Sequence, residues 1–172
     1  MIHIETIELA SSAASITFSS IPQDYTDLMI KVSARTDHTA VDDDAIISFN
    51  SNTSNFSIVR LFGTGSSATS LTVPARFVGF TNANEASSNT YSSQSIYISN
   101  YTASAAKSYS VDSVTENNGT QSFQDIAAGL WDNTASITSA SFTSANGGNF
   151  LTGSIFSLYG ITKGSDGTTT VS

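Results

Sequence analysis

Leu28-Met29-Ile30-Lys31-Val32-Ser33-Ala34-Arg35 is the stretch that decides the fold class. Leu28, Ile30, Val32 and Ala34 alternate with Met29, Lys31, Ser33 and Arg35. Successive side chains of a strand point to opposite faces, so this segment has one dry face and one wet one. The same period of two extends outward from it. Upstream, Met1 to Leu9 starts in one phase at Ile2 and Ile4 and changes phase at Ile7 and Leu9, as a β-bulge requires. A short strand at Ser15 to Phe18 follows, and Ile21-Pro22-Gln23-Asp24 turns the chain into the deciding segment. Downstream, Thr36 to Asp44 reads as a polar, acidic loop. Strands are predicted at Ala45 to Phe49, Asn55 to Phe62, Leu71 to Phe80, Tyr91 to Tyr101, Lys107 to Thr115, Phe123 to Trp131, Ser136 to Thr143 and Phe150 to Thr162. Pro74 places its strand at an edge or bulge. Turns at Asn117-Asn118-Gly119, Asp132-Asn133 and Asn146-Gly147-Gly148 separate the later strands.

Because no segment carries a 3.6-residue apolar stripe, the pattern predicts an all-β protein. The expected architecture is an antiparallel β-sandwich, jelly-roll-like, with a closed barrel as the alternative. Leu28, Ile30, Val32, Phe49, Ile96, Ile98, Val111, Ile126, Leu130, Phe156 and Leu158 are the expected core. One domain is expected over residues 1–163, followed by a polar C-terminal tail over 164–172 that has too little apolar surface to fold alone. The chain's 172 residues suffice for a hydrophobic core without staples, and no cysteine is present to form one.

Composition removes several functions. Fourteen acidic against six basic side chains give a net charge of −8, and six scattered cations cannot form the basic stripe that a phosphate backbone needs, so no nucleic-acid partner is expected. No apolar run approaches the roughly 20 residues of a membrane span, and Met1 to Glu5 lacks the basic start of a signal peptide. A soluble chain without a membrane partner is therefore expected. Close to a third of the residues are Ser or Thr, which suits pleated strands and their turns. That composition also produces N-x-Ser/Thr sequons at Asn52, Asn55, Asn100 and Asn118 by chance.

Reactive constellations are sparse. His3 and His38 lie far apart and outside any nucleophile motif, so a Ser-His-Asp site is not expected. Asp112, Glu116, Asp125 and Asp132 could supply a glycosidase pair beside Trp131 and Tyr109, but they read better as solvated strand and turn residues around a core tryptophan. Asp42, Asp43 and Asp44, with Asp37 nearby, are weak candidates for a bound cation. They lack the order of an EF-hand, and adjacent acids on an extended segment diverge, so a solvated, mutually repelling loop is the favoured reading. Gly63-x-Gly65 leads into no lysine and is not a phosphate loop. No catalytic residue, cofactor or metal is assigned.

Four stretches carry a resemblance: Ser11 to Asp37 (SSAASITFSSIPQDYTDLMIKVSARTD), Ser110 to Asn118 (SVDSVTENN), Ala127 to Ser139 (AAGLWDNTASITS) and Ser157 to Ile161 (SLYGI). Together they resemble a widespread group of structural proteins of tailed bacteriophages, especially aquatic phages. The resemblance implies a jelly-roll-like β-sandwich in the virion, either a capsid decoration (cement) protein on the outer surface of the head or a tail, fibre or receptor-binding component that contacts host-surface glycans. Decoration is favoured because the chain enters its first strand almost at Met1, with no coiled coil before it. Expected partners are the major capsid protein or other virion proteins, with the chain in a homo-oligomer, most plausibly a trimer.

Overall fold

The computed structural model describes residues 1–73 and 75–162. It contains twelve strands and, among the described residues, no helix. They are β1 (Ile2–Glu8), β2 (Ser15–Phe18), β3 (Asp27–Ser33), β4 (Asp42–Phe49), β5 (Phe56–Gly63) and β6 (Ala68–Val73), then β7 (Phe77–Asn82), β8 (Ser93–Ile98), β9 (Lys107–Glu116), β10 (Ser122–Trp131), β11 (Ala140–Ser144) and β12 (Ile155–Ile161). The expected tail at 164–172 lies outside the described residues, as does Pro74.

Two antiparallel sheets pack face to face. The larger has the order β1-β12-β3-β8-β9-β10-β5-β6 and the smaller β2-β11-β4-β7. The chain passes from one sheet to the other at every connection except β5-β6, β8-β9 and β9-β10, which is the wrapping of a jelly roll. Here the meander β8-β9-β10 fills a place where the simplest jelly roll has one strand, and β1 and β12 are added beyond β3.

The dry face of β3 meets the sandwich interior as expected: Leu28, Ile30, Val32 and Ala34 are all buried. They share a core with Phe49, Ile96, Ile98, Val111, Phe156 and Leu158. The phase change in the first strand is present as a register shift between His3 and Glu5 against β12, which leaves Ile4 and Ile7 both packed on the core. At the centre, Phe49, Phe56, Tyr109 and Trp131 form an aromatic cluster with ring centroids 5.5–6.0 Å apart.

Several sequence expectations are corrected. Ile126 and Leu130 are 53% and 39% exposed, because β10 runs in the opposite phase with Asp125, Ala127, Gly129 and Trp131 inward. Burying the large indole of Trp131 outweighs burying Leu130. Gly129 is required on that inward face, since a Cβ there would lie 2.0 Å from the Tyr109 ring. The strand expected over Leu71 to Phe80 is two strands, β6 and β7, in different sheets. The break falls between the end of β6 and the start of β7, a stretch of sequence that holds a proline, a residue with no N–H to give a ladder. Where β7 crosses β9, Gly79 at φ 103° admits the Ser113 side chain, whose Oγ accepts the Phe80 N–H at 3.0 Å. Asp42 to Asp44 belong to β4 rather than to a solvated loop. Arg35, expected on the wet face, is buried.

Candidate interaction surface

The inverted phase of β10 gives the larger sheet an unusual outer face. Ile126, Ala128 and Leu130 point outward beside Val59 and Leu61 of β5, with Val59 opposite Ala128 and Leu61 opposite Ile126. Val59 is 53% and Leu61 54% exposed. Cross-strand neighbours this close make one apolar strip rather than scattered side chains. Ser70 and Thr72 of β6 flank it on one side and Ser108 and Ser110 of β9 on the other. Asp112, opposite Ile126, and Glu116 at the end of β9 are the charged outward positions on these four strands. Beyond Ala128 a shallow groove of about 290 Å³ runs past Ser108 and Ser110 to Tyr97.

Directly beneath this strip lies a buried ion cluster. Arg60 alternates inward between Val59 and Leu61 and is 4% exposed. Its Nε and Nη2 donate to Asp125 Oδ2 at 2.9 and 2.5 Å. Nη2 also lies 2.9 Å from Asp44 Oδ1, an ion pair off the hydrogen-bond line. Phe62, Phe77 and Phe80 surround the guanidinium carbon at 5.6, 5.0 and 4.8 Å from their centroids. Burial works to lower the Arg60 pKa, but the hydrogen bond it donates to Asp125 and the Asp44 charge outweigh it and hold it above its ordinary value. Burial raises Asp44 above the usual carboxylate range despite Arg60, and burial next to Asp43 raises Asp42 likewise. The cluster ties β5 and β10 of one sheet to β4 of the other and so stiffens the strip above it.

The residues singled out in the sequence are spread apart. Asp42, Asp43 and Asp44 diverge along β4. Asp43 is buried and accepts from Thr36 Oγ1 (2.9 Å), Ser144 Oγ (2.7 Å), Asn146 Nδ2 (2.8 Å) and the Asp44 N–H (2.8 Å). Four donors occupy the oxygens a cation would need. Among the described residues no group of three or more acidic or imidazole side chains is placed to hold a metal. Asp37 binds Asn149 through both carboxylate oxygens. His3 Nε2 is 2.8 Å from Thr6 Oγ1, with its ring edge-on to Tyr159. His38 contacts its surroundings through its backbone carbonyl, which accepts from Ala40 and Asn84.

Of the four candidate glycosidase acids, Asp125 is sealed inside against Arg60, Glu116 is engaged by the 87–90 loop, and Asp112 and Asp132 are exposed at separate places. Trp131 and Tyr109 are buried and offer no stacking surface. Burial pushes the Tyr109 hydroxyl above its ordinary pKa. Sequence reasoning missed Arg60. Its signal was a lone cation at an alternate position of an apolar strand, where a guanidinium on the dry face needs a carboxylate opposite.

No family model, no curated protein and no solved structure matches the chain.

Proposed function

We propose that this chain is a non-catalytic structural protein of a tailed-bacteriophage virion, a capsid decoration protein docked on the outer surface of the head. The apolar strip of Val59, Leu61, Ile126 and Leu130 carries the reading, because four of the exposed large apolar side chains gather there on two adjacent strands, flanked by hydroxyl side chains and Asp112. The occupant we assign to it is a shell protein with a neutral or basic apolar surface. Charge decides this against a second copy of the chain: two molecules of net charge −8 repel, and a face-to-face contact would set each Asp112 near an apolar strip. Rigid strands backed by the Arg60 cluster present the strip in a fixed shape, which lowers the cost of binding. A small homo-oligomer, a trimer formed through surfaces other than this strip, fits the same role, since several modest contacts made together gain avidity. The resemblance in the strand and turn segments quoted above supports the virion assignment.

The test is co-sedimentation of the purified chain with empty shells assembled from the major capsid protein of the phage that carries its gene. Saturable loading is expected, and Leu61→Asp should weaken it by about tenfold or more while the melting temperature stays close to wild type. Absence of loading by a folded wild-type chain would overturn the head assignment, and so would equal loading of the folded Leu61→Asp variant. Recovery of a few copies with purified tails would assign the chain to the tail instead.

A further inference from the structure

Arg35 follows β3 and is 7% exposed. Its Nη1 donates to the carbonyls of Ser87 (2.6 Å) and Thr90 (3.2 Å) and to Thr90 Oγ1 (3.4 Å), and its Nη2 to the carbonyls of Asn84 (3.1 Å) and Ala86 (2.9 Å). These dipoles solvate the guanidinium without neutralising it. Among the described residues no carboxylate lies within ion-pair distance of Arg35 and no acceptor meets its Nε–H. The loop it holds is fixed from the other side as well. Glu116 accepts from the Ser87 N–H (2.6 Å), the Thr90 hydroxyl (2.9 Å) and the Ser87 hydroxyl (3.0 Å). The guanidinium is therefore set in place before any ligand arrives.

Arg35 lines a cleft of about 360 Å³ together with Ser12, Ser88, Asn89, Tyr91 and Thr152. That volume falls in the lower part of the range of small-molecule sites, roughly 300–1,000 Å³. Tyr91 is held against the wall by its hydroxyl, which donates to the Thr152 carbonyl at 2.9 Å. The side chains of Ser12, Ser88, Asn89 and Thr152 are not committed to hydrogen bonds among the described residues. Three hydroxyls and one amide, each able to donate and accept, thus surround Arg35, whose Nη hydrogens the loop occupies and whose Nε–H has no acceptor among the described residues.

We propose that this cleft binds a small polyhydroxylated carboxylate of the uronic-acid class. The carboxylate accepts from the Nε–H of Arg35, the one guanidinium hydrogen the loop leaves free, the hydroxyls meet Ser12, Ser88, Asn89 and Thr152, and the Tyr91 ring covers an apolar side of the sugar. A monoanion suits the site better than a doubly charged phosphate, because a chain of net charge −8 penalises each added negative charge. The cleft shares no residue with the apolar strip, so this inference stands or falls independently of the docking reading.

The experiment is a titration of the full chain with D-glucuronate, D-glucose and sodium sulfate, followed by amide chemical shifts. Glucuronate is expected to saturate with a dissociation constant of about a millimolar, as suits a small open site, shifting amides near 84–91 and 151–152. Glucose and sulfate should bind at least tenfold more weakly. Asn89→Asp places a negative charge at the rim without touching Arg35. Its φ of 62° is one that Asp tolerates, so the fold should be kept while glucuronate affinity falls about tenfold. Failure of glucuronate to saturate in the millimolar range would overturn the proposal. Equal binding of glucose or sulfate would overturn it too, as would unchanged affinity in a folded Asn89→Asp variant.

Discussion

Two arginines are buried in this sandwich, and the fold treats them differently. Arg60 lies between the sheets, pressed by three phenylalanines and paired with Asp125 and Asp44. Arg35 lies at an edge of the core, paired with no acid among the described residues and bound by the carbonyls of one loop. Taking a charge out of water costs several kcal/mol, and the two sites offset it by opposite means. The first supplies counter-charges from two strands, β4 and β10, to an arginine on a third and so joins the sheets. The second supplies dipoles from a single loop and so orders that loop. A charge that ties strands together belongs to stability, whereas one that orders a loop beside a cleft is available for recognition.

If that contrast is right, removing Arg60 is the more damaging change. In Arg60→Met the volume is nearly kept, but Asp125 is left fully buried with no cation, and its Oδ1 already lacks a donor among the described residues. The expected loss is about 3–5 kcal/mol in urea denaturation. Replacing Asp125 by Leu in the same molecule should recover most of it, since an apolar pair of similar volume avoids the desolvation cost. A single variant that loses less than about 1 kcal/mol would mean that Asp125 takes up a proton cheaply and that the contrast is overstated.

Arg35→Met should cost less, about 2 kcal/mol. Four carbonyls lose charged donors, but a surface loop can swing them toward water, whereas Asp125 cannot move. Hydrogen exchange should quicken over 83–92 and remain slow in β3 and β8. Exchange that quickens across both sheets would show Arg35 to be a core element like Arg60.

The ease with which these regions could be read from sequence follows the same division. The phase of β3 was plain because its two faces differ in chemistry at every position. That of β10 was not: Asp125, Ala127, Gly129 and Trp131 alternate with Gln124, Ile126, Ala128 and Leu130, and both rows mix apolar with polar side chains. Trp131 settles the phase, yet its weight shows only once Phe49, Phe56 and Tyr109 are seen around it. Asp43 read as solvated because two of its donors, Ser144 and Asn146, lie 101 and 103 residues away in sequence. Arg60 and Asp125 are 65 residues apart in sequence and become diagonal neighbours only through the register of β5 on β10. The cleft at Arg35 was illegible for a related reason, since alternation along β3 assigns Arg35 to the wet face and only the packing of the 84–90 loop covers it.

The smallest expected effect separates the two carboxylates of Arg60. Burial raises the Asp44 pKa, and Asp125 and Asp42 add to the rise against the opposing pull of Arg60. An acid whose pKa is raised by folding keeps its proton longer in the folded chain than in the unfolded one. Between its ordinary pKa of 3.8 and the raised value the folded state binds more protons, so stability falls as pH rises through that window. Glu116 and Asp37 act in the other direction. Burial opposes it, but hydrogen bonds from Asn118, Thr90 and Ser87 lower Glu116, and those from Asn149 lower Asp37, so their contributions are lost as pH falls through the folded values. Asp44→Asn removes the first effect and leaves the second. At neutral pH the variant should match or slightly exceed the wild type, by less than about 1 kcal/mol. Its stability should fall less steeply as pH rises from 4, with a residual slope from Asp42, which burial also raises. Denaturation midpoints measured across that range supply the check. A variant clearly less stable than wild type, with the slope unchanged, would make Asp44 a counter-charge as necessary as Asp125. Arg60 would then need two acids where Arg35 needs none.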